Sequence, residues 1–267
     1  MKRFLILAGV LGVLGVLYFK SRNPQTLITG RAMGCEWRFL TNESIHQVEV
    51  RHGIVRTLEH WEQVLSTWRP DSDLSRHNRG EMPTADLAAV IAMAEQLHKD
   101  SGGAFDHRLL AALTKAGFGP GGSGMDLSSL GKGYAVDRVC EELQKRGIRT
   151  YVFSLAGEVR AGEGTWPVEL EAPVPSSKTA ARTIELSGKA LATSGNYRQW
   201  NREEGGKLAS HIIDPRTGES VMRPPCSVTV IGPSAALASG WATALFVLGP
   251  DSTAPTPPPE YRVIWQR

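Results

Sequence analysis

The sequence has few of the features that mark several large protein classes. It contains three cysteines, Cys35, Cys140 and Cys226, whose spacing matches no metal site and whose number allows at most one disulfide. Lys and Arg total 30 against 27 for Asp and Glu, and they are spread along the chain, so no block of charge predicts nucleic acid binding. The sequence contains no internal repeat, so a repeat architecture is not expected.

What remains is the composition of an ordinary globular protein. Apolar residues make up 41% of the 267 residues, which is enough to bury a substantial core. This fraction excludes a chain that is disordered throughout. The length fits one large domain or two small ones.

The one long apolar run lies at the N-terminus. Lys2 and Arg3 precede apolar residues 4–19, and Lys20 and Arg22 follow them, which is the layout of an export signal. As a helix this run would be roughly 24 Å long, slightly less than the ~30 Å hydrocarbon core of a bilayer. A cleaved signal peptide and a retained anchor both fit the pattern.

Two observations favour the retained anchor. The run ends in Tyr18 and Phe19 with no small-x-small cleavage site, and no cysteine follows closely enough for lipid attachment. We expect a signal peptide or signal anchor at residues 1–22, a linker at 23–28 and one folded domain at 29–267. That domain is expected at the cytoplasmic membrane, facing the periplasm or the cell exterior.

The first half of the folded part contains segments in which apolar residues have the spacing of a helix. Apolar residues recur every three or four positions in segments 54–65, 87–97 and 136–143, which predicts three helices that each bury one face. A last helix is predicted at 235–248.

The second half of the chain has the period of strands. Apolar residues alternate at 166–170, 228–230 and 261–265, and the Pro-rich residues 255–259 are predicted to form a surface loop. Because helices and strands mix without regular alternation, the expected fold is α+β, with mixed sheets and helices in a single domain.

Segment 125–134, Met-Asp-Leu-Ser-Ser-Leu-Gly-Lys-Gly-Tyr, is rich in residues suited to binding an anion. It is predicted to be a strand end, a tight Ser/Gly turn and the start of a helix. The N–H groups of a helix N-terminus and the ammonium group of Lys132 would stabilise a phosphate. A solvated surface lysine after a common turn is the alternative.

Two further segments contain candidate residues. In 210–218, His211 interrupts an apolar strand, and a histidine titrates near neutral pH and can act as a general base; the alternative is a hydrogen-bonded structural histidine. In 192–198, the small residues Thr193, Ser194 and Gly195 are predicted to form a turn that a ligand can approach closely. A plain strand-to-helix turn fits this segment equally well.

The order of several segments is more specific than any one of them. Met33-Gly34 is followed by segment 66–78, Ser-Thr-Trp-Arg-Pro-Asp-Ser-Asp-Leu-Ser-Arg-His-Asn, then by 103–106 and 117–120, and then by the segments above. This series resembles the ApbE family of FAD:protein FMN transferases from about Met33 to Gly249.

The resemblance implies an activity. Such enzymes bind FAD as substrate, cleave its pyrophosphate with Mg²⁺, and transfer FMN to a Ser or Thr hydroxyl of another protein, releasing AMP. It also implies that the acceptor is a flavin-carrying subunit of a membrane redox complex outside the cytoplasm, which agrees with an anchored, exported domain.

The resemblance also implies roles for individual residues. His211 matches the general base, and Trp68 would stack on a flat ring. Other residues match those that contact FAD: Met33, Ala104, Phe105, Asp106, Asp126, Lys132 and Ile212. The metal ligands implied are the backbone carbonyl of Ser129, the residue at position 239 and Thr243.

This sequence departs from the family pattern at three places. Ser239 stands where the family usually has a magnesium-binding Asp, and a neutral hydroxyl is a weaker ligand for a hard cation. Residues 156–158, Ala-Gly-Glu, replace a usual Gly-Gly-Asp. Arg108 replaces a small Thr, and would either bring charge to the pyrophosphate or pair with a nearby acid.

Because of Ser239, two alternatives to the transferase stay open. One is a catalytically impaired protein that binds FAD without cleaving it. The other is a pyrophosphatase that gives FMN and AMP without a protein acceptor.

Overall fold

The computed structural model describes residues 25–173, 180–196, 200–202, 208–251 and 255–267. The predicted signal or anchor, residues 1–22, lies outside the described residues. Within them, no helix is both long and apolar enough to cross a bilayer. The predicted linker at 23–28 is too long, because a strand already begins at Thr26.

The chain forms six described helices and thirteen described strands. The helices are α1 (Gln47–Leu65), α2 (Asp73–Asn78), α3 (Ala85–Asp100), α4 (Leu110–Lys115), α5 (Ser128–Lys145) and α6 (Ala235–Leu248). The strands are β1 (Thr26–Ala32), β2 (Cys35–Thr41), β3 (Tyr151–Leu155), β4 (Glu158–Ala161), β5 (Trp166–Glu171), β6 (Ala180–Leu186), β7 (Ala190–Gly195), β8 (Trp200–Arg202), β9 (Leu208–Ser210), β10 (Ile213–Asp214), β11 (Glu219–Ser220), β12 (Ser227–Gly232) and β13 (Arg262–Gln266).

A seven-stranded antiparallel sheet organises the domain. Its strand order is β1-β2-β3-β4-β7-β12-β13, and two-stranded ladders join β5 to β6, β8 to β9 and β10 to β11. Both faces of the sheet are covered, so β3 and β12 are buried at every position. The predicted α+β class is therefore confirmed, as are the strands around 166–170, 228–230 and 261–265.

The helices cover one face of the sheet. Helix α6 is apolar on nearly all sides and is packed between α5 and strands β7 and β12, as expected for a fully buried helix. Helices α5 and α6 approach closely at Gly133, where a Cβ atom would lie only 2.3 Å from the carbonyl oxygen of Ala235. Any larger residue at Gly133 would force the two helices apart.

The hairpin of β5 and β6 covers the other face. Trp166, Val168 and Leu170 point into a second hydrophobic cluster with residues of the central strands, such as Val152 and Ile231. This cluster is separate from the main core beneath the helices. The two sides of the sheet are therefore stabilised by different sets of apolar contacts.

Three local predictions were wrong. Residues 125–127 are not a strand, and α5 already begins at Ser128, so Gly131, Lys132 and Gly133 lie in a helix and not in a turn. The apolar strand expected through His211 is interrupted, because β9 ends at residue 210 and β10 begins at residue 213.

The third concerns Thr193, Ser194 and Gly195. They end the central strand β7 instead of forming a turn, and residues 197 and 198 of the same predicted turn lie outside the described residues. The Pro-rich residues 255–259 are outside helices and strands, as predicted.

Candidate functional site

A cleft with a volume of about 490 Å³, lined by many polar side chains, opens where α5 begins, between β4, β7 and α6. We call it the main cleft. The residues that were predicted from the sequence and line it are Ser129, Lys132, Thr193, Ser194, Gly195, His211, Ile212, Ser239 and Thr243.

A smaller side pocket adjoins the main cleft and shares four of its lining residues, Ser129, His211, Ile212 and Thr243. Three further predicted residues line this side pocket: Ala104, Asp106 and Asp126. The structure thus gathers, around one continuous depression, residues that are more than a hundred positions apart in sequence.

Asp126 organises the N-terminus of α5. Its Oδ1 accepts hydrogen bonds from the backbone N–H of Ser128, at 2.9 Å, and from the Ser128 hydroxyl. Its Oδ2 accepts one from the hydroxyl of Thr67 at 3.3 Å. A carboxylate at this position satisfies one of the N–H groups that a helix N-terminus leaves without partners, and it complements the helix dipole.

Asn78 fixes the chain just before Asp126. Its side-chain amide donates to the carbonyl oxygen of Met125 and accepts from the Met125 N–H, both at 2.8 Å. The N–H of Asp126 donates to the carbonyl oxygen of His107 at 2.8 Å. These contacts hold the entrance to α5 in one position.

Lys132 follows one turn into α5 and lines the main cleft. Its ammonium group donates to the carbonyl oxygen of Ser128 at 3.4 Å. The negative charge of Glu158 raises the pKa of Lys132, although burial acts in the opposite direction. Lys132 is therefore a permanent cation in the cleft, suited to an anionic ligand.

His211 lies in the break between β9 and β10, where it lines both the main cleft and the side pocket. Its ring packs edge-on against Phe118 with 5.9 Å between ring centroids. Beneath this segment, Ala209 and Ile213 belong to a small apolar cluster with Ala116. The segment after α4 thus supports the histidine from below.

Helix α6 contributes hydroxyl groups to the floor of the cleft. Thr243 donates to the carbonyl oxygen of Ser239 at 3.2 Å, and its Oγ1 lies 3.4 Å from Oγ of Ser194 on β7. Ser239 is buried and its hydroxyl donates to Oε1 of Glu158 on β4 at 3.1 Å. A chain of oxygen atoms thus links α6 to two strands of the sheet.

The structure also shows what Arg108 does. Its guanidinium group forms a two-pronged ion pair with Asp106, with contacts of 2.9 and 2.8 Å, and it also contacts Nε2 of His98 at 3.0 Å. Burial acts to raise the pKa of Asp106, but the hydrogen bonds from Arg108 outweigh it and lower that pKa. Of the two roles expected for Arg108, the structure has the pairing with a nearby acid.

Three predicted residues do not line the main cleft or the side pocket. Phe105 is only 2% exposed and packs in the core, so its side chain is not available to a ligand there. Trp68 is 65% exposed, beside Thr67, which contacts Asp126. Met33 has a left-handed backbone with φ of 50°.

Several residues of the cleft were not predicted as site residues, and two of them lie beside Lys132. Glu158 and Cys35 line the cleft together with Lys132. In the sequence, Glu158 was noted only as a departure from a family pattern and Cys35 only as a possible disulfide partner. The three cysteines are all unpaired, and burial raises the pKa of the Cys35 thiol.

Together these features define a class of protein. It is an α+β domain whose cleft combines a lysine, the N-terminus of a helix and a histidine, and such a cleft is suited to a ligand that contains phosphate. The profile of the ApbE family matches residues 33–124 and 120–256, so the chain belongs to the ApbE family.

Relatives and solved structures agree with this assignment. The chain is 28% identical to an FAD:protein FMN transferase of Klebsiella pneumoniae, over 85% of this chain and 79% of the relative. It is 31% identical to one of Vibrio cholerae, over 73% of this chain and 72% of the relative. A flavinyl transferase ApbE of Pseudomonas stutzeri, solved in its apo form, superposes with a TM-score of 0.74 at 28% identity, covering 88% of both chains.

Proposed function

We propose that this protein transfers the FMN half of FAD to a Ser or Thr hydroxyl of an acceptor protein and releases AMP. The observation that carries the proposal is the convergence of Lys132, His211 and Thr243 on one cleft. The volume of about 490 Å³ lies within the ~300–1,000 Å³ of typical small-molecule sites. The names of the relatives support the same reaction.

In this reaction the acceptor hydroxyl oxygen forms a bond to the FMN phosphorus. The bond between that phosphorus and the bridging oxygen breaks, and AMP leaves with the bridging oxygen. His211 would take the proton of the hydroxyl, which is a poor nucleophile until a base is within hydrogen-bond reach. Lys132 and the N-terminus of α5 would stabilise negative charge that develops on the phosphate oxygens.

The oxygen atoms that α5 and α6 present to the main cleft are of the chemical type that magnesium binds. The hydroxyls of Ser239 and Thr243 and the carbonyl oxygen of Ser129 are hard oxygen ligands, as this cation prefers, and all three residues line the main cleft. When bound, Mg²⁺ supplies positive charge to the phosphate oxygens. None of these three ligands carries a formal charge.

The acceptor and the location are part of the proposal. We propose that residues 1–22 hold the domain at the outer face of the cytoplasmic membrane, and that the acceptor is a flavin-carrying subunit of a membrane redox complex. The layout of Lys2, Arg3 and the apolar run supports export.

The test uses the full chain, purified in mild detergent. It is mixed with FAD, Mg²⁺ and a flavin-carrying redox subunit, and the products are separated on a denaturing gel and by chromatography. A fluorescent acceptor band together with an equal amount of AMP is expected. Intact FAD that stays bound without labelling would support the impaired FAD-binding protein. AMP release without a labelled acceptor would support the pyrophosphatase.

A further inference from the structure

Glu158 has a buried oxygen atom for which the fold supplies no partner. The residue is 7% exposed, its Oε1 accepts the hydrogen bond from Ser239, and its Oε2 has no hydrogen-bond partner among the described residues. A buried carboxylate oxygen without a partner is costly, so its presence in a cleft points to a ligand.

The surroundings of Glu158 identify that ligand as a cation. Glu158 lines the main cleft together with Ser129, Ser239 and Thr243, so a carboxylate faces the neutral oxygen donors of α5 and α6. Lys132 also lines the cleft, but its ammonium group donates a hydrogen bond to the carbonyl oxygen of Ser128. Glu158 is close enough to raise the pKa of Lys132, but no hydrogen bond from Lys132 or from any other described residue reaches its Oε2, so this oxygen can still coordinate a cation.

We propose that Glu158 is a magnesium ligand and supplies, from β4, the anionic oxygen that α6 lacks at Ser239. This inference rests on the proposed function for the identity of the metal. The hydrogen bond from Ser239 to Oε1 orients the carboxylate so that Oε2 is free to bind. A carboxylate among hydroxyl and carbonyl oxygens is the ligand set that Mg²⁺ and Mn²⁺ share.

The test measures Mn²⁺ binding to the full chain by electron paramagnetic resonance, with and without FAD. Glu158→Gln keeps the shape and the oxygen that accepts from Ser239 but removes the charge. We expect it to weaken Mn²⁺ binding by about tenfold or more, the scale on which metal sites respond to such changes. Glu169→Gln, which changes another carboxylate of the same cleft, is the matched control and should bind as the wild type does.

A double variant tests whether a carboxylate at another position of the same site can replace that of Glu158. Glu158→Gln combined with Ser239→Asp returns one carboxylate to the floor, from α6 instead of β4, and should restore most of the lost affinity. Thermal melting checks that each variant is folded.

The inference is overturned if the wild type binds no Mn²⁺, if Glu158→Gln binds as tightly as the wild type, or if a folded double variant recovers nothing. Metal binding that depends on Glu158 without any FMN transfer would reject the proposed function and keep the inference.

Discussion

Asp137 of α5 caps α6: its Oδ1 accepts a hydrogen bond from the backbone N–H of Ala235 at 3.0 Å. Its Oδ2 accepts from the N–H of Ala236 at 3.1 Å and from the hydroxyl of Ser234 at 2.8 Å, and Arg160 forms an ion pair with the same carboxylate. Helix α5, which carries Ser129 and Lys132, thus fixes the start of α6, which carries Ser239 and Thr243.

Asp137→Ala should be strongly destabilising. It leaves the partly buried Arg160 charge and two N–H groups without their partner, and losing one member of a buried ion pair typically costs about 3–5 kcal/mol. Denaturant unfolding measures this loss. The control is Glu141→Ala, which removes a more exposed ion pair with Arg138 on the same helix and should cost less than about 1 kcal/mol. Equal losses for the two variants would contradict the capping role.

Ala156→Gly should stabilise the protein. Ala156 has φ of 52°, a left-handed conformation that glycine adopts with less strain. The expected gain is about 0.5–1 kcal/mol, since the entropy cost of glycine offsets part of the relief. Denaturant unfolding measures it, with Ala88→Gly on the exposed face of α3 as a control that should have the opposite sign. A loss of stability in Ala156→Gly would contradict the inference that the backbone at Ala156 is strained.

The ion pair of Asp106 and Arg108 should make stability depend on pH in acid. The pKa of Asp106 is lower in the folded than in the unfolded state, so its contribution is present above the unfolded pKa of about 3.9 and is lost as pH falls through the folded value. Asp106→Asn should therefore melt below the wild type at pH 7, and the difference should narrow below about pH 4.

Melting curves from pH 7 to pH 2.5 would check this. Asp251→Asn, which breaks an exposed pair with Arg267, should change melting little at any pH. A difference for Asp106→Asn that stays constant down to the lowest pH would contradict the prediction.

His211→Ala should affect transfer far more than binding. Removing a general base typically lowers the rate by about 10²–10⁴-fold, whereas the contacts of FAD with the rest of the cleft are kept. Initial rates of acceptor labelling and FAD titration measure the two quantities separately. His52→Ala, the same substitution on the exposed surface of α1, is the control. If rate and affinity fall together, His211 binds FAD instead of acting as a base.

Trp68→Ala should weaken FAD binding without lowering stability. The indole is 65% exposed in the described structure, so its removal costs little in folding, and stacking on a flat ring is worth roughly 1–3 kcal/mol, or about tenfold or more in affinity. FAD titration by fluorescence measures the affinity. Met82→Ala removes another exposed apolar side chain and should leave it unchanged. An unaltered affinity in Trp68→Ala would remove Trp68 from the site.

The sequence was most informative where local pattern and packing agree. Helix α6 begins and ends as predicted, at residues 235 and 248, because the segment is apolar except for Ser239 and Thr243 and is followed by Gly249. The sequence pattern was misleading at Gly131 and Gly133, because two glycines this close together are typical of a turn, whereas these lie in α5. These glycines serve contacts with Leu65 and Ala235, and sequence does not show such distant neighbours.

In the candidate site, too, some residues could be predicted from the sequence and others could not. Lys132, His211 and Thr243 could be named because their segments occur in a recognisable order, and the structure brings them to one cleft. The contact between Glu158 and Ser239 could not be predicted, because it joins residues 81 positions apart through the pairing of β4 with its neighbours. Two of the three departures from the family pattern, Glu158 and Ser239, thus contact each other.

The β5–β6 hairpin gives the cleft two walls of different origin. Glu169 and Glu171 reach its rim from a hairpin that is packed on its own apolar cluster, whereas Lys132 and Thr243 stand on helices anchored in the main core. We therefore expect substitutions on the exposed side of the hairpin to have little effect on the packing of the helices. The charge that Glu169 and Glu171 place at the rim can thus change without altering the helices that hold Lys132 and Thr243.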